Sequence, residues 1–138
     1  MITLYLLPGG TPEERKRAEL SYQTVPIKVV SLPVDRFDLY GEEDHVNPWF
    51  AFLYGYEYLD ENLRNAIPLL VQNSNYDIFI FFKKVYKSGN MITSQAPRLF
   101  RKHIRMQPLC LLPATEDLYS PYERILDGWI LQDAHDEI

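Results

Sequence analysis

The stretch from Trp49 to Leu63 constrains this chain more than any other. Trp49, Phe50, Ala51, Phe52 and Leu53 are apolar without interruption, so no alternation separates a wet face from a dry one. A short run of that kind predicts a strand buried on both faces. Tyr54-Gly55-Tyr56-Glu57 then predicts a turn, with glycine supplying the backbone freedom. Asp60 is placed to cap a following helix, in which Leu63, Ile67 and Leu70 fall at i, i+4 and i+7. Pro68 lies inside that helix, where it removes one backbone donor and predicts a bend.

The rest of the chain carries similar grammar. Ile2 to Leu7 is almost continuously apolar and predicts a first strand, broken by Pro8-Gly9-Gly10. Thr11-Pro12-Glu13-Glu14 starts a helix with a cap, a proline at the first helical position and a glutamate able to close a capping box. That helix is expected to run to about Tyr22, with Ala18 and Tyr22 facing inward. Ile27 to Leu32 predicts a second strand, completing a right-handed βαβ unit. Pro33 to Pro48 reads as loop. Tyr76 or Asp77 to Phe82 is another strand, and Lys87-Ser88-Gly89-Asn90 is a turn before Met91-Ile92-Thr93. Ser120-Pro121-Tyr122-Glu123 repeats the capping grammar and predicts a last helix from Pro121 to Ile130. No internal repeat, low-complexity tract or linker divides the sequence, so residues 1–138 are expected to form one domain.

Composition narrows the classes of function. A chain of 138 residues with 46% hydrophobic and 14% aromatic content can fill a core. Its net charge of −5 argues against wholesale binding to a nucleic-acid backbone. Positive charge does gather at Arg15-Lys16-Arg17 and from Arg98 to Arg105. Cys110 is the single cysteine, so no disulfide or cysteine-based zinc site forms within the chain. No signal-peptide pattern is present and no apolar run reaches membrane-spanning length, from which a cytoplasmic setting is expected.

Three passages then fall in a telling order: Glu14-Arg15 on to Ser21-Tyr22-Gln23-Thr24-Val25-Pro26-Ile27-Lys28-Val29-Val30-Ser31; Trp49 to Leu63, continuing through Leu69-Leu70, Asn73 and Asp77-Ile78-Phe79; and Met91 to Lys102, with Pro97-Arg98-Leu99-Phe100-Arg101. Together they resemble the nucleotide-sugar half of a family 2 glycosyltransferase of the GT-A fold. The resemblance implies a compact α/β, three-layer domain with a central, mostly parallel sheet. It also implies a nucleotide-diphospho-sugar as partner. Tyr54 and Tyr56 stand where the family carries its metal-binding Asp-x-Asp, and Glu57 alone keeps an acid beside them. A divalent cation bridging a pyrophosphate needs hard oxygen ligands, and phenols with a pKa near about 10 are poor substitutes. No metal ligand is therefore assigned; Mn2+ or Mg2+ enters only if transfer is retained. Ser31-Leu32-Pro33 replaces the aspartate that contacts the base in the family, leaving Asp35 as the nearest carboxylate. The 17 residues from Leu32 to Pro48 are too few for the family's helix-strand-helix passage.

By this resemblance Pro8, Gly9, Gly10, Thr11, Ser31, Asp35, Tyr54 and Tyr56 would line a donor, with Glu57 and Asp133 as catalytic carboxylates. Asp133 would deprotonate the acceptor hydroxyl. His135 with Asp133 or Asp136 is a further metal-binding thought, and Arg98 to Arg105 a diphosphate grip. Each has a plainer reading. Glycines before a capped helix make turns, tyrosines pack, and an acidic end is solvated. Two functions follow. One is a binding or interaction module, self-associating into a homo-oligomer through exposed aromatics, without metal-dependent sugar transfer. The other is an active small glycosyltransferase.

Overall fold

Unbroken apolar runs place two adjacent strands at the centre of a sheet. The structure, a computed structural model, describes residues 1–32, 47–72, 75–107, 111–114, 117 and 119–133. Ile2–Leu7 form strand β1, buried at all six positions. Ile2, Leu4 and Leu6 face one apolar cluster, while Tyr5 and Leu7 face a second on the other side of the sheet. Trp49–Tyr54 form β3 and divide the same way: Trp49, Ala51 and Leu53 to the first cluster, Phe50 and Phe52 to the second. β1 pairs in parallel with β3 on one side and with β2, Ile27–Ser31, on the other.

Helix α1, Pro12–Ser21, begins as its sequence dictates. The Thr11 hydroxyl accepts from the Glu14 N–H at 3.2 Å, and the Glu14 carboxylate accepts from the Thr11 N–H at 2.9 Å. Ala18 and Tyr22 are buried in the first cluster. Helix α2, Glu61–Leu70, is capped by Asp60 and buries Leu63 and Ile67 in that same cluster. Pro68 cannot donate to the carbonyl of Arg64, four residues back. The Thr24 hydroxyl donates to that carbonyl instead, at 2.9 Å.

The remaining strands are β4, Glu57–Leu59; β5, Ile78–Lys87; β6, Asn90–Arg101; β7, Tyr122–Arg124; and β8, Ile130–Gln132. Their order in the sheet is β2-β1-β3-β6-β5-β8-β4, with β7 also pairing β5. β3 and β4 are joined only by Gly55 and Tyr56, yet three strands separate them in that order. The sheet curls back on itself as a half-barrel.

This architecture corrects the expectation of a three-layer α/β domain with a mostly parallel sheet. The sheet is mixed and dominates the fold. Its longest ladder is the antiparallel β5–β6 hairpin, with ten paired positions. That strand was expected to end at Phe82, but pairing carries it on to Lys87 around a turn at Ser88 and Gly89, both with positive φ. α1 and α2 lie against the same face. The opposite face is covered by Ile104, Met106 and Leu111 rather than by a layer of helices among the described residues. The helix expected from Pro121 to Ile130 is absent. β7 runs along β5 instead, the Pro121 carbonyl accepts from the N–H groups of Asp77 and Ile78, and β8 follows after a loop. No described helix is long and apolar enough to cross a membrane.

Candidate functional site

Parallel strands β2, β1 and β3 end together, because Leu6 is in register with Ser31 and Leu7 with Tyr54. The loop Pro8-Gly9-Gly10-Thr11 therefore meets Ser31 and the Tyr54-Gly55-Tyr56 turn at one carboxyl-terminal edge. In open, parallel α/β sheets such edges commonly hold ligands. Arg15, from α1, stitches the edge together. One terminal nitrogen donates to the Leu7 carbonyl at 2.9 Å and to the Gly9 carbonyl at 3.0 Å; the other reaches the Ser31 hydroxyl at 3.4 Å. The Gly55 N–H also donates to the Leu7 carbonyl, at 3.1 Å.

The glycines here answer to space. A Cβ on Gly55 would lie 2.0 Å from the Gly9 carbonyl oxygen and 2.5 Å from the Arg15 guanidinium. A Cβ on Gly10, whose φ is +82°, would meet the Gly55 carbonyl at 2.5 Å. Two backbone turns thus touch with no room between them. At the start of α1, the Thr11 and Glu14 N–H groups already have side-chain acceptors, and Glu13 and Glu14 add negative charge to the first turn.

Glu57 lies just beyond this edge and is fully buried. Its carboxylate accepts from the Tyr54 N–H at 2.8 Å, from two Arg98 nitrogens at 2.7 and 3.1 Å, and from Lys83 at 2.5 Å. Burial pushes the Glu57 carboxyl up, but the charge and hydrogen bonds of Arg98 and then of Lys83 together outweigh it and hold the group below its ordinary range. For Arg98, burial works against the charge, and Glu57 more than compensates. Tyr54 and Tyr56 stack with centroids 5.6 Å apart; the Arg98 guanidinium lies 5.6 Å from the Tyr54 ring and the Lys83 ammonium 5.5 Å from Tyr56. Burial, followed by the charge of Glu57, raises the Tyr56 phenol above its usual value. Tyr22 is raised too, chiefly by complete burial, and its hydroxyl has no hydrogen-bond partner among the described residues.

Local geometry explains how these charges come inside. Phe79 pairs with Leu99 but Ile80 with Pro97, so Arg98 is the extra residue of a β-bulge. Bulges redirect a side chain, and this one sends Arg98 onto Glu57. Lys83 continues the inward parity of Phe79 and Phe81, both in the first cluster. That parity was a signal for Lys83 in the sequence; Arg98 had none, since the bulge is a product of pairing.

The other sequence candidates lie apart. Asp133 follows β8 and pairs with Arg17 of α1 at 2.9 Å, while Arg17 stacks 3.9 Å over Tyr58. Within the basic segment, Arg101 pairs with Asp77 at 3.2 Å and His103 approaches it at 3.5 Å. Asp35, Cys110, His135 and Asp136 fall outside the described residues. Two depressions of about 530 Å³ each lie elsewhere, one between α1 and Tyr58, the other between α2 and Trp129. Among the described residues no group of three or more His, Cys, Asp or Glu is placed to hold a metal ion.

No protein-family model matches the chain, and no curated protein matches it. Among solved structures, protein A197 from STIV is similar with a TM-score of 0.49 at 10% identity, covering 94% of this chain and 84% of that one. At that level the likeness assigns no role to any residue.

Proposed function

We propose that this chain is a glycosyltransferase-like binding or interaction module that lacks metal-dependent sugar transfer. One observation carries the reading: both oxygens of Glu57 are occupied by Arg98, Lys83 and the Tyr54 N–H. A carboxylate that neutralises a buried guanidinium and an ammonium has no lone pair to spare for a cation or an acceptor proton. Tyr54 and Tyr56 add no carboxylate beside it.

The convergence of Pro8 to Thr11, Ser31, Tyr54 and Tyr56 on one edge supports a narrower second reading, in which a nucleotide-diphospho-sugar is held there without turnover. Retained transfer, with Asp133 as base and Mn2+ or Mg2+ at the diphosphate, is the competing reading. A cytoplasmic setting belongs to the same proposal and rests on the single cysteine, which leaves no disulfide within this sequence.

Calorimetric titration with uridine and guanosine diphosphate sugars, with and without manganese, tests these readings. Heats that manganese leaves unchanged are the expected result. Binding that tightens tenfold or more with manganese would overturn the metal-free reading and favour transfer.

A further inference from the structure

The β5–β6 hairpin outruns the sheet that supports it. β6 pairs with β3 only at Leu99, Phe100 and Arg101, and β5 gains β7 at Ile78–Ile80 and β8 at Lys83 and Lys84. From Val85 to Ile92 the hairpin is a two-stranded ribbon among the described residues. Asn90 to Gln95 are exposed at every position. Ribbons of two strands are marginal in water, and a third strand is what usually stabilises them.

The outer edge of β6 has an unusual composition for an unpaired strand. Asn90-Met91-Ile92-Thr93-Ser94-Gln95-Ala96-Pro97 carries no charge, whereas open edges are normally guarded by lysine or another charge. Pro97 blunts it at the end nearest the sheet, where the Arg124 guanidinium also donates to the Gln95 side chain at 3.0 Å. The facing strand holds the positive charge instead, at Lys83, Lys84 and Lys87. Tyr86, Met91 and Ile92 are 55%, 53% and 52% exposed, and Tyr86 lies opposite Met91 in the ladder. A neutral edge with exposed apolar side chains is compatible with its own copy in a way that a lysine-bearing edge is not.

We propose that two copies of this chain associate by antiparallel pairing of β6 with β6, extending the two ribbons into one four-stranded sheet. A two-fold of this kind closes, since each edge is consumed by the other. The inference names a partner for the interaction-module reading and rests on it. It is scored by self-association, whereas that reading is scored by donor calorimetry, so either can fail while the other stands.

An interface of one short ladder falls well below the roughly 1,200 Å² of stable complexes, so a dissociation constant on the order of 10⁻⁴ M is expected. Sedimentation equilibrium of the full chain from micromolar to millimolar concentration should show a monomer–dimer equilibrium. Amide exchange from Asn90 to Gln95 should slow as concentration rises. Ile92→Lys places like charges across the two-fold and should weaken association about tenfold or more. Leu126→Lys, at a residue 79% exposed and outside the ribbon, should leave it unchanged. A monomer throughout the range overturns the proposal. So does a dimer that Ile92→Lys leaves intact, or one lost in Leu126→Lys.

Discussion

Glu57 joins three strands by charge: its own β4, Lys83 of β5 and Arg98 of β6. Breaking a buried pair strands the remaining charges, so Glu57→Gln should destabilise the fold by about 3–5 kcal/mol in urea denaturation. Replacing Glu57, Arg98 and Lys83 together by methionine should recover most of that loss, because apolar residues of similar volume need no partner. A cost below about 1 kcal/mol for Glu57→Gln would show that the network holds nothing. The pH dependence has a defined sign. A carboxyl held below its ordinary value contributes its stability in full above the unfolded value, near about 4.3, and loses it as pH falls through the lower folded value. Urea midpoints should therefore drop below about pH 4, and the drop should be shallower in Glu57→Gln. A parallel decline in both proteins would assign the acid sensitivity to other carboxylates.

At the scale of elements, the contact between the Pro8 loop and the Tyr54 turn is set by absent side chains. Gly55→Ala forces a methyl into the Gly9 carbonyl and the Arg15 guanidinium. It should cost about 2 kcal/mol or more, read as a lowered thermal midpoint. A neutral Gly55→Ala would mean that the two turns separate freely. Local signals made much of this region legible in advance. The Thr11 box, the Asp60 cap and the two apolar runs each act within a few residues, and α1, α2, β1 and β3 formed where those signals stood. β4, β7 and β8 were not legible because each is only three residues long. Their pairing partners, not their composition, make them strands. Ser120 to Glu123 shows the contest directly: a helix cap was available, but the open edge of β5 took the segment. For the candidate site, the meeting of the Pro8 loop with Tyr54 was readable from parallel-strand logic. The occupancy of Glu57 was not, because Arg98 arrives through a bulge and Lys83 from across the sheet.

For the molecule as a whole, parallel pairing around β1 invited the picture of a mostly parallel sheet with helices on both faces. The β5–β6 hairpin redirects it: half of the sheet is antiparallel or mixed, and the far end, β4, bends back toward β3. β8 is what completes that bend, since it lies between β5 and β4 and is β4's ladder partner through Glu57↔Gln132, Tyr58↔Leu131 and Leu59↔Ile130. This placement has a consequence for vectorial synthesis. β4 leaves the ribosome some seventy residues before the strand it must zip to, so the growing polypeptide has to wait with an open seam. Nascent chains halted before Ile130 should remain protease-sensitive around Glu57 to Leu59, and chains extended past Gln132 should become resistant. Equal resistance in both would mean that the seam closes without its last stitch.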